Sequence, residues 1–426
     1  MGRFLFLNPS ARIKKRHYRP NMLDALLNRF RKSPQAHHAE PALMSAYARL
    51  PICFVRGEAC TLWDSEGNQY LDALGGIAVT FLGHSHPTIS ETISLQASKL
   101  LHTSNLFHIQ EQARLGERFC EISAMDKVFF GNSGAEANEA AIKISRLYAA
   151  SKGIKNPVVI TMQDSFHGRT MATLSATGNA NIQNGFQPLV PDFQHVAYNN
   201  LAAINEHSSN HNVVAVMVEP IQGEAGIVVP DEGYLRGIRE LCDQNNWLMI
   251  VDEIQTGMGR TGEWFAHMHE GIQPDIMTSA KALGNGIPIG ACAARGDAAD
   301  LIGPGNHGST FGGSPFASQV AYMVIDTIVQ QDLVKQAGEL GAFLKKQLQQ
   351  KLGTHPKVVD IRGLGLMIGI ELDDVYPDLA KIFLAHGLVV NITGAGKVIR
   401  LLPAVVITRA QIKQCAQTIL DVIETL

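Results

Sequence analysis

Three polar side chains follow two apolar stretches, at positions where a parallel sheet would bind a ligand. The segment LMIVDEIQTGMGR places Asp252 and Gln255 just beyond one apolar strand, and DIMTSAKALGNGIPIG places Lys281 at the end of another. Open α/β sheets bind ligands outside the carboxyl ends of their strands. A lysine that is partly desolvated, or close to positive charge, can be neutral and then act as a nucleophile or a base. A lone lysine is usually only a surface charge, but the three residues together favour a site.

A glycine-rich turn before a helix adds a second feature. In FFGNSGAEANEAAIK a strand ends in a Gly-Asn-Ser-Gly turn, and an alanine-rich helix follows as far as Gly153. Ser133 and Glu136 have the spacing of a capping box, which would make this simply a well-capped helix. The free N–H groups and the dipole of such a helix start also bind phosphate. No GK[ST] follows, so this is not a P-loop. The turn alone supports both interpretations about equally.

Two further motifs lack the surroundings that their chemistry needs. Gly257, Gly259 and Gly262 match GxGxxG, but a dinucleotide-binding loop must open directly into a helix. Here DEIQT intervenes after the strand, and EWFAHMHEGIQP is a poor crossover helix. His84 and His86 have no third metal ligand evident nearby in the sequence. We therefore predict neither a Rossmann domain nor a metal site.

Short apolar strands alternate with helical stretches through the middle of the chain. Candidate strands are KVFF at 127–130, VVIT at 158–161, VVAVMV at 213–218 and LMIV at 248–251. Continuous apolar strands separated by helices predict a mostly parallel sheet that is covered on both faces. The segment from Cys60 to Leu74 is typical of a hairpin. The C-terminal part has a long helical stretch from Gln319 to Leu352. A final amphipathic helix has a predicted buried stripe of Ile412, Cys415, Ala416, Ile419, Leu420 and Ile423.

These patterns predict an α/β protein with a large domain and a smaller α+β domain. A chain of 426 residues is too long for one typical core. We expect a basic, poorly ordered extension at 1–44, the first part of the small domain at 45–80, the large domain at 81–315, and the rest of the small domain at 316–426. The first 32 residues hold nine Lys or Arg and one acidic residue, Asp24. A transit peptide or a nucleic-acid arm is the alternative interpretation, and Met22 and Met44 are plausible starts.

The composition favours a soluble intracellular enzyme or binding protein. The hydrophobic fraction is 46% and the charged fraction 18%, which argues against disorder. A net charge of −3 offers no general attraction for nucleic acid or a membrane surface. The six cysteines form no CxxC pair, which is typical of reduced thiols, and no apolar run is long enough to cross a bilayer. We therefore expect a cytoplasmic protein.

Eight sequence blocks resemble one enzyme family, and they occur in the family's order. They are GGIAVTFLGHSHP, NSGAEANEAAIK, SFHGRT, VEPIQGEAG, DEIQTGMGRTG, TSAKALGNGIPIG, HGSTFGG and IRGLGLMIG. Over residues 45–426 the chain resembles the class III, or ornithine-type, aminotransferases of fold type I. The resemblance implies a large, mostly parallel sheet domain, pyridoxal 5'-phosphate as cofactor, and a homodimer with shared active sites.

The resemblance also assigns the residues around the cofactor. Lys281 would hold the cofactor covalently and then act as the base, and Asp252 would keep the pyridine nitrogen protonated. Gln255 would bond the phenolic oxygen, and Phe166 would stack on the ring. The implied phosphate contacts are Ser133, Gly134 and Ala135 in one chain and Thr310 from the neighbouring subunit. The Ala135 position is often threonine in the family, so one hydroxyl contact is in doubt.

Four further positions match the substrate contacts of the family. Arg169 and Arg400 match two carboxylate-binding arginines, whose planar forks suit carboxylates. Glu224 matches a glutamate that pairs with the second arginine, and Ser309 would add a substrate contact. An exposed arginine or glutamate is usually only a solvated charge, so these roles depend on the motifs around them.

The blocks GGIAVTFLGH and LHTSNLF and the RLLP segment favour one reaction within the family. The resemblance implies transfer of the δ-amino group of N2-acetylornithine to 2-oxoglutarate, as in arginine biosynthesis. Ornithine, succinylornithine, succinyldiaminopimelate and 4-aminobutyrate are alternative donors. A PLP-dependent aminomutase is an alternative from another enzyme class. A protein of this fold that only binds ligands is disfavoured because every catalytic position is filled.

Overall fold

The computed structural model describes residues 42–426. The chain divides into two compact units, Met1–Cys53 and Phe54–Leu426. In the first unit, residues 42–53 contain no helix or strand and are mostly exposed. The predicted basic extension at 1–44 lies almost entirely outside the described residues. All the elements below belong to the second unit.

The strands form three sheets. In chain order they are β1 (Phe54–Glu58), β2 (Thr61–Asp64), β3 (Gln69–Asp72), β4 (Lys127–Gly131), β5 (Val158–Met162), β6 (Phe193–Val196), β7 (Val213–Val218), β8 (Leu248–Asp252), β9 (Ile276–Ser279), β10 (Gly290–Ala294), β11 (Val358–Leu364), β12 (Met367–Leu372), β13 (Leu388–Val389), β14 (Asn391–Thr393) and β15 (Val398–Leu401). The seven-stranded sheet has the order β4-β10-β9-β8-β7-β5-β6. Its neighbours from β9 to β6 are parallel, and β10 runs antiparallel to both β9 and β4. The mostly parallel sheet is confirmed.

Helices connect and cover these strands. In chain order they are α1 (Gly75–Ala78), α2 (Pro87–Lys99), α3 (Gln110–Ser123), α4 (Gly134–Ser151), α5 (Met171–Ala176), α6 (Ala180–Gln183), α7 (Leu201–Asn205), α8 (Tyr234–Asn245), α9 (Pro315–Gln330), α10 (Leu333–Leu352), α11 (Leu379–Ala385) and α12 (Arg409–Ile423). None of the helices within residues 42–426 is long and apolar enough to span a membrane.

The large sheet is buried on both faces because alternate residues of its strands enter two different cores. On β7, Val216 and Val218 pack in the core that contains Ile238 of α8. Ala215 and Met217 pack in the opposite core, which contains Ala140 of α4. Successive side chains of a strand point to opposite faces, so a strand between two helical layers must be apolar throughout. This is why the central strands could be recognised as uninterrupted apolar runs.

The C-terminal part agrees with the predicted elements with two corrections. The helical stretch from Gln319 to Leu352 is divided into α9 and α10, because Asp332 has a left-handed φ of 51°. On α12, Val422 is buried and Leu420 is only partly buried, so Val422 replaces Leu420 in the predicted stripe. The helix begins at a complete capping box formed by Thr408 and Gln411.

Segments that are distant in the sequence share the smaller sheets. The predicted hairpin forms from β2 and β3, and β13 pairs with β3 in parallel. Strands β11, β12, β15 and β14 form an antiparallel sheet in that order. The predicted domain boundaries near residues 80 and 316 stay predictions. What matters for the site is that β14 and β15 carry side chains close to the ends of β7 and β8.

Candidate active site

A cavity of about 410 Å³ lies at the carboxyl edge of the large sheet. Most of the residues predicted from the sequence line it, namely Ser133, Gly134, Ala135, Phe166, Arg169, Glu224, Asp252, Gln255 and Lys281. Its volume falls in the range of small-molecule sites. The fold therefore brings together residues that lie as much as 148 positions apart, from Ser133 to Lys281 (281 − 133).

Asp252 is the last residue of β8, and its carboxylate is buried. Its Oδ2 accepts hydrogen bonds from Nδ2 of Asn138 and Nδ1 of His167, each at 2.8 Å. Its Oδ1 accepts one from the backbone N–H of Ile254 at 3.1 Å. Because a carboxylate only accepts, Nδ1 of His167 carries the proton in this contact. Three N–H donors therefore fix the direction in which Asp252 faces the cavity.

His167 and Asn138 are functional candidates that sequence reasoning missed. Burial lowers the pKa of His167, but its hydrogen bond to Asp252 and the charge of Asp252 outweigh burial and raise the pKa overall. Asn138 also donates to the backbone oxygen of His167 and accepts from Oγ1 of Thr278, each at 2.7 Å. Both residues lie inside the recognised blocks SFHGRT and NSGAEANEAAIK. Only the contacts that form after folding distinguish them from the other polar residues of those blocks.

Lys281 begins a short 3₁₀ helix just after β9. Its φ of 44° lies in the left-handed region, which a residue with a side chain rarely adopts. Burial lowers the pKa of its amine to about 8, while the charge of Glu224 opposes this shift and the charge of Arg400 adds to it. The lowered pKa increases the share of the amine that is neutral near neutral pH. A neutral amine can act as a nucleophile or accept a proton.

Helix α4 begins at the edge of the cavity with its first N–H groups unused. Oγ of Ser133 accepts from the N–H of Glu136 at 3.2 Å. The predicted capping box is only half formed, because the Glu136 carboxylate accepts from the N–H of Asn132 instead of Ser133. Within residues 42–426, the N–H groups of Gly134 and Ala135 donate no hydrogen bond. They are free to bind an anion.

Arg400, on β15, is buried and paired with Glu224. Its NH1 donates to Oε1 of Glu224 at 2.6 Å and to Oε1 of Gln255 at 3.3 Å. Burial raises the pKa of Glu224, but the charge and hydrogen bond of Arg400, the charge of Lys281 and a hydrogen bond with Gln255 together outweigh burial and lower the pKa overall. A Cβ at Gly223 would lie 2.2 Å from Oε1 of Gln255, so a glycine is needed beside this cluster. The predicted pair of Arg400 and Glu224 is in contact.

Phe166 and Arg169 lie together on another wall of the cavity. The guanidinium of Arg169 lies 5.6 Å from the centre of the Phe166 ring. The N–H of Phe166 donates to Oε2 of Glu219 at 3.0 Å, and burial raises the pKa of Glu219 to about 7. Glu219 was not identified from the sequence, although it belongs to the block VEPIQGEAG. In the sequence, Glu219 directly follows the apolar run VVAVMV, and nothing distinguishes it from any other residue that follows a strand.

Ser309 and Thr310 do not line this cavity. Oγ of Ser309 accepts from Nδ2 of Asn132 at 2.9 Å, and Asn132 itself lines the cavity. Thr310 is exposed. The predicted contacts of these two residues with substrate and with a neighbouring subunit stay predictions.

Comparison with known proteins places this chain in an enzyme family. The family model for aminotransferase class III matches residues 43–423. The chain is 50% identical to acetylornithine aminotransferase of Nitrosomonas europaea, over 87% of this chain and 95% of that protein. It is 42% identical to acetylornithine aminotransferase of Methanothermobacter thermautotrophicus, over 90% and 97% of the two chains.

Solved structures agree with the sequence comparison. The ornithine aminotransferase of Toxoplasma gondii superposes with a TM-score of 0.87 at 35% identity, covering 91% of this chain and 94% of that one. The acetylornithine aminotransferase of Elizabethkingia anophelis has a TM-score of 0.81 at 35% identity, with coverages of 91% and 97%. The cavity and these similarities together identify the chain as a member of the class III aminotransferases, with the fold type I architecture.

Proposed function

We propose that this enzyme transfers the δ-amino group of N2-acetyl-L-ornithine to 2-oxoglutarate. The products are N-acetyl-L-glutamate 5-semialdehyde and L-glutamate, and the reaction is a step of arginine biosynthesis. The observation that carries the proposal is the Arg400–Glu224 ion pair. Glu224 lines the same cavity as Lys281, and both charges of the pair act on the pKa of Lys281. Relatives named acetylornithine aminotransferase, at 42% to 50% identity, support the choice of donor.

The cavity fits pyridoxal 5'-phosphate, the cofactor of class III aminotransferases. A lysine whose pKa is lowered to about 8 suits covalent attachment, and the free N–H groups at the start of α4 suit a phosphate. A Cβ at Gly134 would lie 2.7 Å from Cδ1 of Ile254, so the helix start packs closely against the segment after β8. When bound, the cofactor supplies an electron sink for negative charge on the substrate carbon.

Each residue that would contact the cofactor has a proposed task. Lys281 would hold the cofactor through its amine and, with that amine free, would act as the base that takes the proton from the substrate carbon bearing the amino group. Asp252 faces the ring nitrogen, and the three donors around its carboxylate keep it oriented. The remaining proposed cofactor contacts are Gln255 at the phenolic oxygen, Phe166 against the ring, and Ser133, Gly134 and Ala135 at the phosphate.

Arg169, Arg400 and Glu224 allow the enzyme to bind two different substrates in turn. Arg169 binds the carboxylate that both substrates share. The substrate contact of Ser309, which does not line the cavity, stays a prediction. Arg400 binds the second carboxylate of 2-oxoglutarate or glutamate through its planar fork. Glu224 covers Arg400 while the uncharged end of acetylornithine is present. Because the pair is already in contact at 2.6 Å, exchanging Glu224 for a substrate carboxylate replaces one charge-assisted hydrogen bond with another.

We also propose a cytoplasmic homodimer with shared active sites. The exposed Thr310 lies beside Phe311, whose side chain is also exposed, and a subunit interface would cover both. In that arrangement Thr310 of the partner subunit contacts the phosphate. All six cysteines are free thiols, which supports a reducing compartment. Sedimentation of the purified enzyme tests the dimer.

A donor panel tests the proposed reaction. Purified enzyme is incubated with 2-oxoglutarate and acetylornithine, ornithine, succinylornithine, succinyldiaminopimelate or 4-aminobutyrate, and glutamate is measured. Ornithine is the main competitor, because the Toxoplasma gondii structure with a TM-score of 0.87 is an ornithine aminotransferase. We expect the highest kcat/KM with acetylornithine. Consumption of the donor without 2-oxoglutarate and without glutamate formation would indicate an aminomutase instead.

A further inference from the structure

Arg400 is held on two sides by partners of different charge. Its Nε and NH2 donate to Oδ1 of Asn391, at 3.1 Å and 2.7 Å. Its NH1 donates to the carboxylate of Glu224 at 2.6 Å. Its NH2 also donates to Oε2 of Glu224 at 3.5 Å, so the guanidinium meets a neutral amide through Nε and NH2 and a negative charge chiefly through NH1. Among residues 42–426, Glu224 is the ion-pair partner that neutralises the arginine.

The neutral partner is fixed by the sheet, and the charged partner is not. Asn391 on β14 and Arg400 on β15 are directly paired in an antiparallel register. Side chains of such a pair lie next to each other on one face of the sheet. Glu224 lies in the turn that follows β7, and its side chain is 38% exposed, whereas that of Arg400 is 1% exposed. The Glu224 side chain has access to solvent and so has room to leave the arginine.

Strand β14 also restricts how Glu224 can move. Thr393 lies two residues after Asn391, and residues two apart point to the same face of a strand. Its Oγ1 donates to the backbone oxygen of Glu224 at 2.5 Å. The backbone of Glu224 is thus attached to the same strand that holds Arg400. A departure of Glu224 is confined to its side chain, and it leaves the two Asn391–Arg400 hydrogen bonds in place.

We propose that Asn391 is a specificity-determining positioning residue, which holds the Arg400 guanidinium in place without neutralising it. The positive charge of Arg400 then stays available for the second carboxylate of 2-oxoglutarate or glutamate whenever Glu224 swings away. This inference rests on the proposed function. An aspartate at this position would accept the same hydrogen bonds but would be a permanent counter-ion, and the enzyme would bind dicarboxylates poorly.

The test measures the two half-reactions separately by single-turnover absorbance of the holoenzyme. In Asn391→Asp, we expect the apparent affinity for glutamate to fall roughly 10- to 100-fold, because a fixed carboxylate competes for Arg400. The acetylornithine half-reaction should change less than about threefold, since Arg400 is already paired there. Asn205→Asp, which adds the same charge at an exposed site, should change neither half-reaction. An unchanged glutamate affinity in Asn391→Asp would overturn the proposal.

Two more variants separate charge from geometry. Asn391→Ala removes the acceptor without adding charge, so glutamate binding should weaken less than in Asn391→Asp while the acetylornithine half is preserved. If Asn391→Ala slows both half-reactions equally, Asn391 is only structural, and this holds even if Asn391→Asp does not fold. The double variant Asn391→Asp, Glu224→Gln should still bind glutamate weakly. If the double variant recovers the wild-type affinity for glutamate, a carboxylate fixed at position 391 does not block Arg400, and the proposal is wrong.

The controls also separate this inference from the proposed function. If the wild-type enzyme itself fails to react with acetylornithine, the proposed function is wrong before any variant is considered. If the wild type reacts with both substrates and the Asn391 variants show no difference between the half-reactions, only the role of Asn391 is wrong.

Discussion

The two charged clusters of the cavity, around Asp252 and around Arg400, are built from different kinds of partner. Asp252 is surrounded by three N–H donors from a backbone, a helix side chain and a buried histidine. All of these donors belong to the packed interior of the large sheet domain. Arg400 donates hydrogen bonds to the neutral amide of Asn391 on β14 and to the carboxylate of Glu224 on a partly exposed turn.

The difference matches the proposed task of each charge. A carboxylate that faces the same cofactor atom in both half-reactions gains from partners that never change, because fixed dipoles need no reorganisation. An arginine that must meet a neutral substrate end and then a carboxylate needs a partner that it can exchange. Both clusters influence Lys281, since the charges of Glu224, Arg400 and Asp252 all affect its pKa.

The largest expected effect is at Lys281, on which both clusters act. Lys281→Ala should make turnover undetectable, because the covalent attachment and the base are lost together. The wild-type protein should absorb in the visible range and lose that band on borohydride reduction. The variant should retain cofactor, if at all, only noncovalently. Near-normal activity in Lys281→Ala would refute the whole assignment of the site.

Asp252→Asn tests the fixed cluster. The substitution keeps the size of the side chain but removes its charge, so single-turnover rates should fall by roughly 10²- to 10⁴-fold in both half-reactions. Cofactor binding, followed by the visible absorbance, should suffer much less. The exposed Asp231→Asn is a matched control and should be unchanged. If the Asp252→Asn rate equals that of the wild type, Asp252 is only a structural cap.

Arg400→Ala tests the exchangeable cluster. A charge-assisted contact is worth on the order of 1.5–3 kcal/mol, so affinity for glutamate and 2-oxoglutarate should drop roughly 10- to 150-fold. The acetylornithine half-reaction should be largely spared. Arg169→Ala is the informative comparison, because Arg169 serves both substrates and its loss should weaken both halves. Equal slowing of both halves by Arg400→Ala would make Arg400 a general structural residue.

Glu224→Ala should act in the opposite direction and by a smaller factor. Without its carboxylate, Arg400 stays uncovered, so the glutamate half-reaction should be kept or improved. The acetylornithine half-reaction should weaken by up to about 10-fold, below the range expected for a lost charge-assisted contact, because Glu224 acts on Arg400 and not on the substrate directly. The rate of the glutamate half-reaction divided by that of the acetylornithine half-reaction should therefore rise. A fall in this ratio would contradict the proposed role of Glu224.

The strands that could be predicted from the sequence are those whose pattern of apolar residues reflects their burial in the fold. Strands β7 and β8 are buried on both faces, so they appear as unbroken runs of large apolar residues. Strand β10, GACAA, is equally buried but consists of small residues that pack beneath α4, so its pattern gives no comparable signal. The division between α9 and α10 depends on one left-handed residue, Asp332, in a segment that is otherwise helical in pattern.

The site was predictable where a residue's position in the chain fixes its position in the fold. Asp252 follows β8 and Lys281 follows β9, so both reach the carboxyl edge of the sheet. Asn138, His167 and Asn391 become candidates only through the side chains that they contact after folding. Asn391, on the three-residue strand β14, resembles any polar residue until its register with Arg400 is known.

The smallest expected effect concerns the link between the exchangeable cluster and Lys281. Burial lowers the pKa of the Lys281 amine to about 8, so the rate at which apoprotein captures added cofactor should rise with pH and level off above about 8. The negative charge of Glu224 favours the protonated amine and opposes this shift. In Glu224→Gln that charge is gone and Arg400 is uncovered, and both changes favour the neutral amine.

The rate at which Glu224→Gln apoprotein captures cofactor should therefore level off at a lower pH than the rate of the wild type. The measurement is the initial rate of visible absorbance after cofactor is added to apoprotein between pH 6 and about pH 10, bracketing the lowered pKa. Asp231→Asn removes a negative charge at an exposed site and should leave the profile in place. An unmoved profile in Glu224→Gln would mean that the charge of Glu224 does not reach Lys281. The exchange at Arg400 would then be electrostatically separate from the amine, and the two clusters would act independently.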